Sequence, residues 1–248
     1  MRLLLLNANT DATITARMAA LAVPLAGPGV TIIPATGRFG ARYISTRAAS
    51  AIAAHAALDA LAEALAATPG PDAVLLACFG DPGLAALREV SPVPVAGMAE
   101  ASLLAAAQLG GRIGVLTGGE RWVPMLGELA ASLGFRERVA IRCVRQTGAE
   151  IAADPEGALA GLAAECDGLV ASGAEVVILG GAGLAGLAAR LAARVHVPLL
   201  DSLACGVAQA LALARLGAAR PAAGSYAPPA PTPVTGLGAA LSRLLGEG

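Results

Sequence analysis

The chain is expected to be an α/β protein: two pseudo-symmetric Rossmann-like (flavodoxin-like) domains, each built on a parallel sheet, meeting at a central cleft. Three observations predict this. Apolar strand-like runs alternate with amphipathic, Ala- and Leu-rich helix patterns throughout, the pattern of parallel sheets covered by helices on both faces. One set of these elements occurs twice. And 248 residues suffice for one large α/β domain or two small ones, with a real core in either case.

The strands are expected at Arg2–Asn7, Val30–Pro34, Ala73–Cys78, Val93–Ala96, Arg112–Thr117, Val139–Val144, Glu175–Gly180 and Val197–Asp201. Helix patterns fall between them, near 11–25, 45–66, 82–90, 98–109, 121–134, 155–172, 183–194 and 202–216. Residues 217–235 are rich in Ala and Pro and read as an extended strap over the surface. A short last helix, about 236–246, is expected to dock Leu237, Leu241, Leu244 and Leu245.

The repeat is explicit. Val74-Leu75-Leu76-Ala77-Cys78-Phe79-Gly80 aligns with Val177-Ile178-Leu179-Gly180-Gly181-Ala182-Gly183, and each copy runs on through Leu and a helix to a Val-Pro strand, at Val93 and Val197. More loosely, Leu3–Thr10 corresponds to Ile113–Glu120. Cys78 and Gly181 therefore occupy equivalent places, which two facing halves would bring into one cleft. Residues 1–108 with 209–248 are expected to form the first half and 109–208 the second.

Composition narrows the chemistry. The chain contains no lysine, which excludes a lysine Schiff base, a pyridoxal-phosphate enzyme and a lysine-bearing phosphate loop. A net charge of −1 without a basic stripe argues against nucleic acid as a partner. No apolar run reads as a membrane span and no leader pattern opens the chain, so a cytoplasmic protein with no membrane partner is expected. The four cysteines are scattered and form no C-x-x-C pair, so they are expected to be free thiols with no zinc or other metal site. His55 and His196 lie away from the turns that carry site signals and read as surface or packing residues.

Those turns stand at the ends of strands. Cys78 is followed by Phe79-Gly80-Asp81-Pro82-Gly83, where Asp81 suits an N-cap and Pro82 a first helical position. Placed there, the thiol would feel a helix N-terminus, which lowers its pKa. The neighbouring N–H groups of Phe79 and Gly80 would hold a carboxylate or enolate oxygen. The competing reading is an inert buried cysteine. Asn7-Ala8-Asn9-Thr10 and Thr117-Gly118-Gly119 are the matching turns after the first strand of each half, with Asn9, Thr10, Thr117 and Gly118 as ligand-binding candidates. Gly181-Ala182-Gly183-Leu184-Ala185-Gly186 is formally a G-x-G-x-x-G with Asp201 about twenty positions on, a dinucleotide signature, although only one strand follows it and the repeat explains it otherwise. Arg38, Phe39, Arg42, Tyr43 and Arg47 either overhang the cleft or begin a solvated helix.

Together these residues resemble the aspartate/glutamate/hydantoin racemase superfamily, and within it the hydantoin and allantoin racemases, over nearly the whole chain. The most specific element is Ala77-Cys78-Phe79-Gly80-Asp81-Pro82-Gly83-Leu84. Asn7-Ala8-Asn9-Thr10 is similar to the family's N-P-N-T opening, Gly97-Met98-Ala99-Glu100-Ala101 to its G-I-A-E-A segment, and Leu179-Gly180-Gly181-Ala182-Gly183-Leu184 to its L-G-C-A-G-M segment. The Tyr226-to-Leu237 strap is similar to the family's C-terminal run. The resemblance implies a cofactor-free racemase or epimerase working on a carbon acid between two cysteines. It also implies a homo-oligomer and a small-molecule substrate with carboxylate or imide oxygens. In this chain the second cysteine position is Gly181. Cys78 would then act as the acid/base on one face, with Asn9, Thr10, Phe79, Gly80, Thr117, Gly118 and the Gly181–Ala182 backbone placing the substrate and its enolate. The missing thiol admits two alternatives: a decarboxylase similar to the arylmalonate decarboxylases, using Cys78 alone, or a binding protein for small acids without catalysis.

Overall fold

The computed structural model describes residues 1–217 and 220–246. It contains two four-stranded parallel sheets with the same strand order. The first is β2-β1-β3-β4, built from β1 (Arg2–Asn7), β2 (Thr31–Thr36), β3 (Ala73–Leu76) and β4 (Val95–Gly97). The second is β6-β5-β7-β8, built from β5 (Ile113–Gly118), β6 (Val139–Val144), β7 (Val176–Leu179) and β8 (Leu199–Asp201). The helices are α1 (Ala12–Ala26), α2 (Arg47–Ala66), α3 (Leu84–Val90), α4 (Met98–Ala107), α5 (Trp122–Ser132), α6 (Gly148–Ala153), α7 (Pro155–Ala171), α8 (Ala188–Leu191), α9 (Ser202–Arg215) and α10 (Ala239–Leu244).

The unbroken run Leu3-Leu4-Leu5-Leu6 shows why β1 is central. All four residues are fully buried, which requires cover on both faces of the sheet. The chain leaves β1 toward β2 and returns from β2 past β1 to β3, so right-handed crossovers put α1 and α2 on opposite faces. Helix α9 packs on α1, β3 and β4 and also reaches β8, while α4 touches β4, β5, β7 and β8. These two helices fill the space between the sheets.

Strand register makes the repeat concrete. Leu6 pairs with Leu76, and Leu116 with Leu179. One step on, the Ala77 N–H donates to Leu6 O and the Gly180 N–H to Leu116 O, both at 2.8 Å. Cys78 and Gly181 are the next residues in each half, so they are equivalent in space as in sequence.

Several boundaries differ from expectation. β2 begins at Thr31 and runs to Thr36, accommodating Pro34 because it is an edge strand. β3 ends at Leu76, two residues before Cys78. The helix expected at 183–194 is a 3-10 turn, Ala182–Leu184, followed by the short α8. Helix α6 was not anticipated. Its signal is the capping box in which Thr147 and Glu150 satisfy each other's backbone. Helix α2, with 20 residues, is long and apolar enough by length and composition alone to cross a membrane. That hydropathy comes largely from alanine, and α2 here packs on the first sheet, α3 and α10. The tail has no helix or strand between Arg220 and Gly238, and Arg220 fastens it by donating to the carbonyls of Glu89 and Val90. Ala218 and Ala219 of the expected strap lie outside the described residues. In α10, Leu241 is buried against Ala62, with Leu237, Leu244 and Leu245 packed around it.

Candidate active site

Parallel sheets offer ligand sites at the carboxyl ends of their strands. Here the ends of β1, β3, β5 and β7 line one cavity of about 390 Å³. From the first half come Asn7, Asn9, Cys78 and Phe79; from the second, Thr117, Gly118 and the Gly180–Leu184 turn. Residues Arg42–Ile44 and α6 complete the wall.

The β1 turn is an amide network. Asn7 is 1 % exposed, and its Nδ2 donates to Asn9 Oδ1 at 2.7 Å and Thr15 Oγ1 at 2.9 Å. Asn9 Oδ1 also accepts the Asp11 N–H at 2.9 Å. This fixes the Asn9 amide with its oxygen committed, leaving its NH2 as a donor on the cavity wall. Asp11 caps α1, accepting from the N–H groups of Thr13 and Ile14, and its second oxygen accepts from Arg42 Nε at 2.9 Å. The Arg42 hydrogen bond holds the Asp11 carboxyl below its ordinary value.

Contacts between the halves shape the opposite wall. Arg17 on α1 donates to the carbonyls of Ala182 at 3.0 Å, Gly183 at 3.3 Å and Ala185 at 2.9 Å. Burial pulls its guanidinium below the ordinary value, opposed by the Asp201 charge. The Tyr43 hydroxyl accepts the Gly148 N–H at 3.3 Å, joining the loop before α2 to the start of α6. The Phe79 ring packs on Gly180. A side chain on Gly183 would drive its Cβ into Gly148 O, so glycine there permits the 3-10 turn to touch α6.

Cys78 is buried at 8 % exposure. Burial first, and the Asp81 charge second, push its thiol up to about 12. This corrects the expectation of a lowered pKa, and the physical reason lies in the turn. Asp81 does not cap the helix that follows it. It takes φ 47°, and α3 begins only at Leu84. The Asp81 carboxylate turns inward instead, accepting from the N–H groups of Ala99 at 3.0 Å and Glu100 at 2.7 Å at the start of α4. Burial outweighs these two bonds and pushes the Asp81 carboxyl up to about 7. The resting thiol is thus neutral.

Gly181 lies across the cavity with φ 133°, a backbone conformation that side-chain-bearing residues rarely adopt. The nearest atom to a Cβ built there is Leu184 Cδ1 at 3.6 Å, so the space itself is open. Its N–H donates to Ser202 Oγ at 3.4 Å.

Cys78, Phe79, Asn9, Thr117, Gly118, Gly181 and Ala182 all line the cavity, whereas Thr10 and Gly80 do not. The Thr10 N–H is held by Ala41 O at 3.2 Å, and Gly80 faces the Trp122 ring. Of the residues in the 38–47 loop region, Arg42 and Tyr43 reach the cavity. Arg38 pairs with Asp59, Arg47 with Glu128, and Phe39 packs edge-on to His55. The dinucleotide reading loses its acidic group. Asp201 caps α9 through the N–H groups of Leu203 and Ala204, and its other oxygen accepts the Gly186 N–H at 2.6 Å. Arg17, Trp122 and α6 are wall elements that sequence reasoning missed. Among the described residues the titratable groups on the wall are Asp11, Arg17, Arg42, Tyr43 and Cys78, and no cluster of three or more His, Cys, Asp or Glu residues forms a metal site. Cys143, Cys166 and Cys205 stand elsewhere.

Residues 3–210, which include both strand-end turns, match the family described as Asp/Glu/Hydantoin racemase. The chain belongs to that family. A hydantoin racemase of Paenarthrobacter aurescens is 31% identical over 92% of this chain and 98% of that protein. The crystal structure of allantoin racemase from Pseudomonas fluorescens superposes with a TM-score of 0.89 at 33% identity, covering 95% of this chain and 100% of that one. A liganded variant of arylmalonate decarboxylase, with one glycine-to-cysteine and one cysteine-to-serine exchange, shares the fold at a TM-score of 0.63 and 23% identity, covering 89% of this chain and 95% of that one. Family membership makes the chain an isomerase of the racemase kind.

Proposed function

We propose that this protein moves a proton at the acidic carbon of a hydantoin-like or amino-acid-like substrate, without a cofactor, and that Cys78 is the acid/base. The observation that carries this is the position of Cys78, a strand-end thiol on the wall of a cavity built from both halves, which the equivalent position in the second half, Gly181, also lines. The relatives named hydantoin racemase and allantoin racemase support the substrate class.

In this reading the substrate's acidic carbon rests against Cys78 Sγ. The thiolate takes the proton and the thiol returns it. The developing enolate oxygen meets donors: the Asn9 amide, the Thr117 hydroxyl and backbone N–H groups at the strand ends. A neutral resting thiol is suited to giving a proton. Taking one requires prior ionisation, which burial makes costly. Gly181 has no acid/base side chain, so solvent serves the opposite face. The open space above Gly181 and the neutral thiol also favour a second reading. A malonate placed there would lose carbon dioxide to form the enolate, and Cys78 would protonate it.

The test is exchange of the acidic hydrogen of an enantiopure hydantoin in heavy water. Exchange should exceed the buffer rate with the unmodified protein and return to it, a loss of at least about a hundredfold, in Cys78→Ala. Equal exchange in both proteins would remove Cys78 from the mechanism. Carbon dioxide released from a disubstituted malonate, without hydantoin exchange, would favour the second reading.

A further inference from the structure

We infer that the substrate's side chain carries a negative charge and that Arg42 receives it at the mouth of the cavity. This deepens the proposed function and rests on it.

The charges on the cavity wall do not cancel. Two guanidiniums, Arg17 and Arg42, face it with one carboxylate, Asp11. The Asp11 carboxylate is spent: one oxygen caps α1 and the other accepts from Arg42 Nε. Arg17 is half-buried, and its hydrogen bonds go to three carbonyls. Among the described residues no carboxylate lies within ion-pair distance of it. Asp201 acts on it only from a distance and does not line the cavity. The wall therefore holds one positive charge more than it neutralises.

Position separates the Arg42 guanidinium from the reacting centre. Cys78 is buried, whereas the Arg42 side chain is 80% exposed and still lines the cavity, which places it at the mouth. The reacting carbon must approach Cys78, so the part of the substrate that reaches Arg42 is its substituent. Arg42 is anchored through Nε alone, and among the described residues its two terminal nitrogens make no hydrogen bond, leaving the planar fork presented for a carboxylate. Thr13, Tyr43, Gly148 and Ala149, which also line the cavity, bring no opposing charge.

The experiment compares a carboxyethyl-substituted hydantoin with its neutral propyl counterpart, in the unmodified protein and in Arg42→Gln. Arg42 is exposed and α1 keeps its Asp11 cap, so the variant retains the fold. The expected result is a kcat/KM for exchange about tenfold higher for the carboxyethyl compound, residing in KM, narrowing with added salt, and falling toward parity in Arg42→Gln. Equal values in the unmodified protein, or a preference that survives Arg42→Gln, would overturn the inference. If neither compound exchanges in a Cys78-dependent way, the proposed function fails, and calorimetric binding of the same two hydantoins decides the inference alone. Tighter, Arg42-dependent binding of the carboxylate sustains it, and equal binding overturns it.

Discussion

At the residue scale the decisive group is Cys78, and its environment governs how it works. A thiol pushed up to about 12 by burial and by Asp81 is almost wholly protonated at neutral pH. If it removes a proton from substrate, the active form is the rare thiolate, and its population rises tenfold per pH unit until the thiol titrates. Cys78-dependent exchange should therefore climb throughout the range from pH 7 to 11, without a plateau near the ordinary thiol value of about 8.5. Asp81→Asn removes the neighbouring charge and should displace that profile to lower pH. A plateau beginning below about pH 8.5 in the unmodified protein would mean that the thiol is activated and that burial has been overcome. The sequence around Cys78 identifies the residue but misleads about its state. Asp-Pro after a strand normally reads as the cap of the next helix, and only the tertiary structure sends the Asp81 carboxylate to α4 instead.

At the element scale, alternation and the repeat made both sheets legible before the structure, down to the equivalence of Cys78 and Gly181. The short pieces were not legible. Helix α6 and the 3-10 turn after Gly181 are too brief for a periodic apolar pattern, and contacts between the halves hold them in place. Gly183 shows what such contacts demand. Its absent side chain lets the turn lie against Gly148 O, a role that a G-x-G-x-x-G reading assigns to a pyrophosphate. Gly183→Ala should push α6 and the turn apart and destabilise the protein by about 1–3 kcal/mol in chemical denaturation. It should also weaken substrate binding, because α6 forms part of the cavity wall. An unchanged denaturation midpoint would show that the turn yields freely.

At the scale of the whole molecule, two sheets of one topology present their strand ends to a shared cavity, and cross-links such as Arg17 to the Ala182–Ala185 carbonyls join them there. The symmetry of the frame is not matched by symmetry of chemistry. One half contributes a thiol and the other a glycine in a backbone conformation that disfavours a side chain. The frame was readable because buried strands follow a simple apolar code. The wall was less so, since Arg17 and Trp122 arrive from helices whose sequences give no hint of convergence. This asymmetry is read out by following optical rotation and deuterium incorporation together for an enantiopure hydantoin in heavy water. A single thiol facing Gly181 predicts that deuterium enters faster than rotation decays, because Cys78 returns a proton to its own face more often than solvent protonates the other. Rotation decaying as fast as deuterium enters, both Cys78-dependent, would contradict it and require a second acid/base group on the Gly181 side.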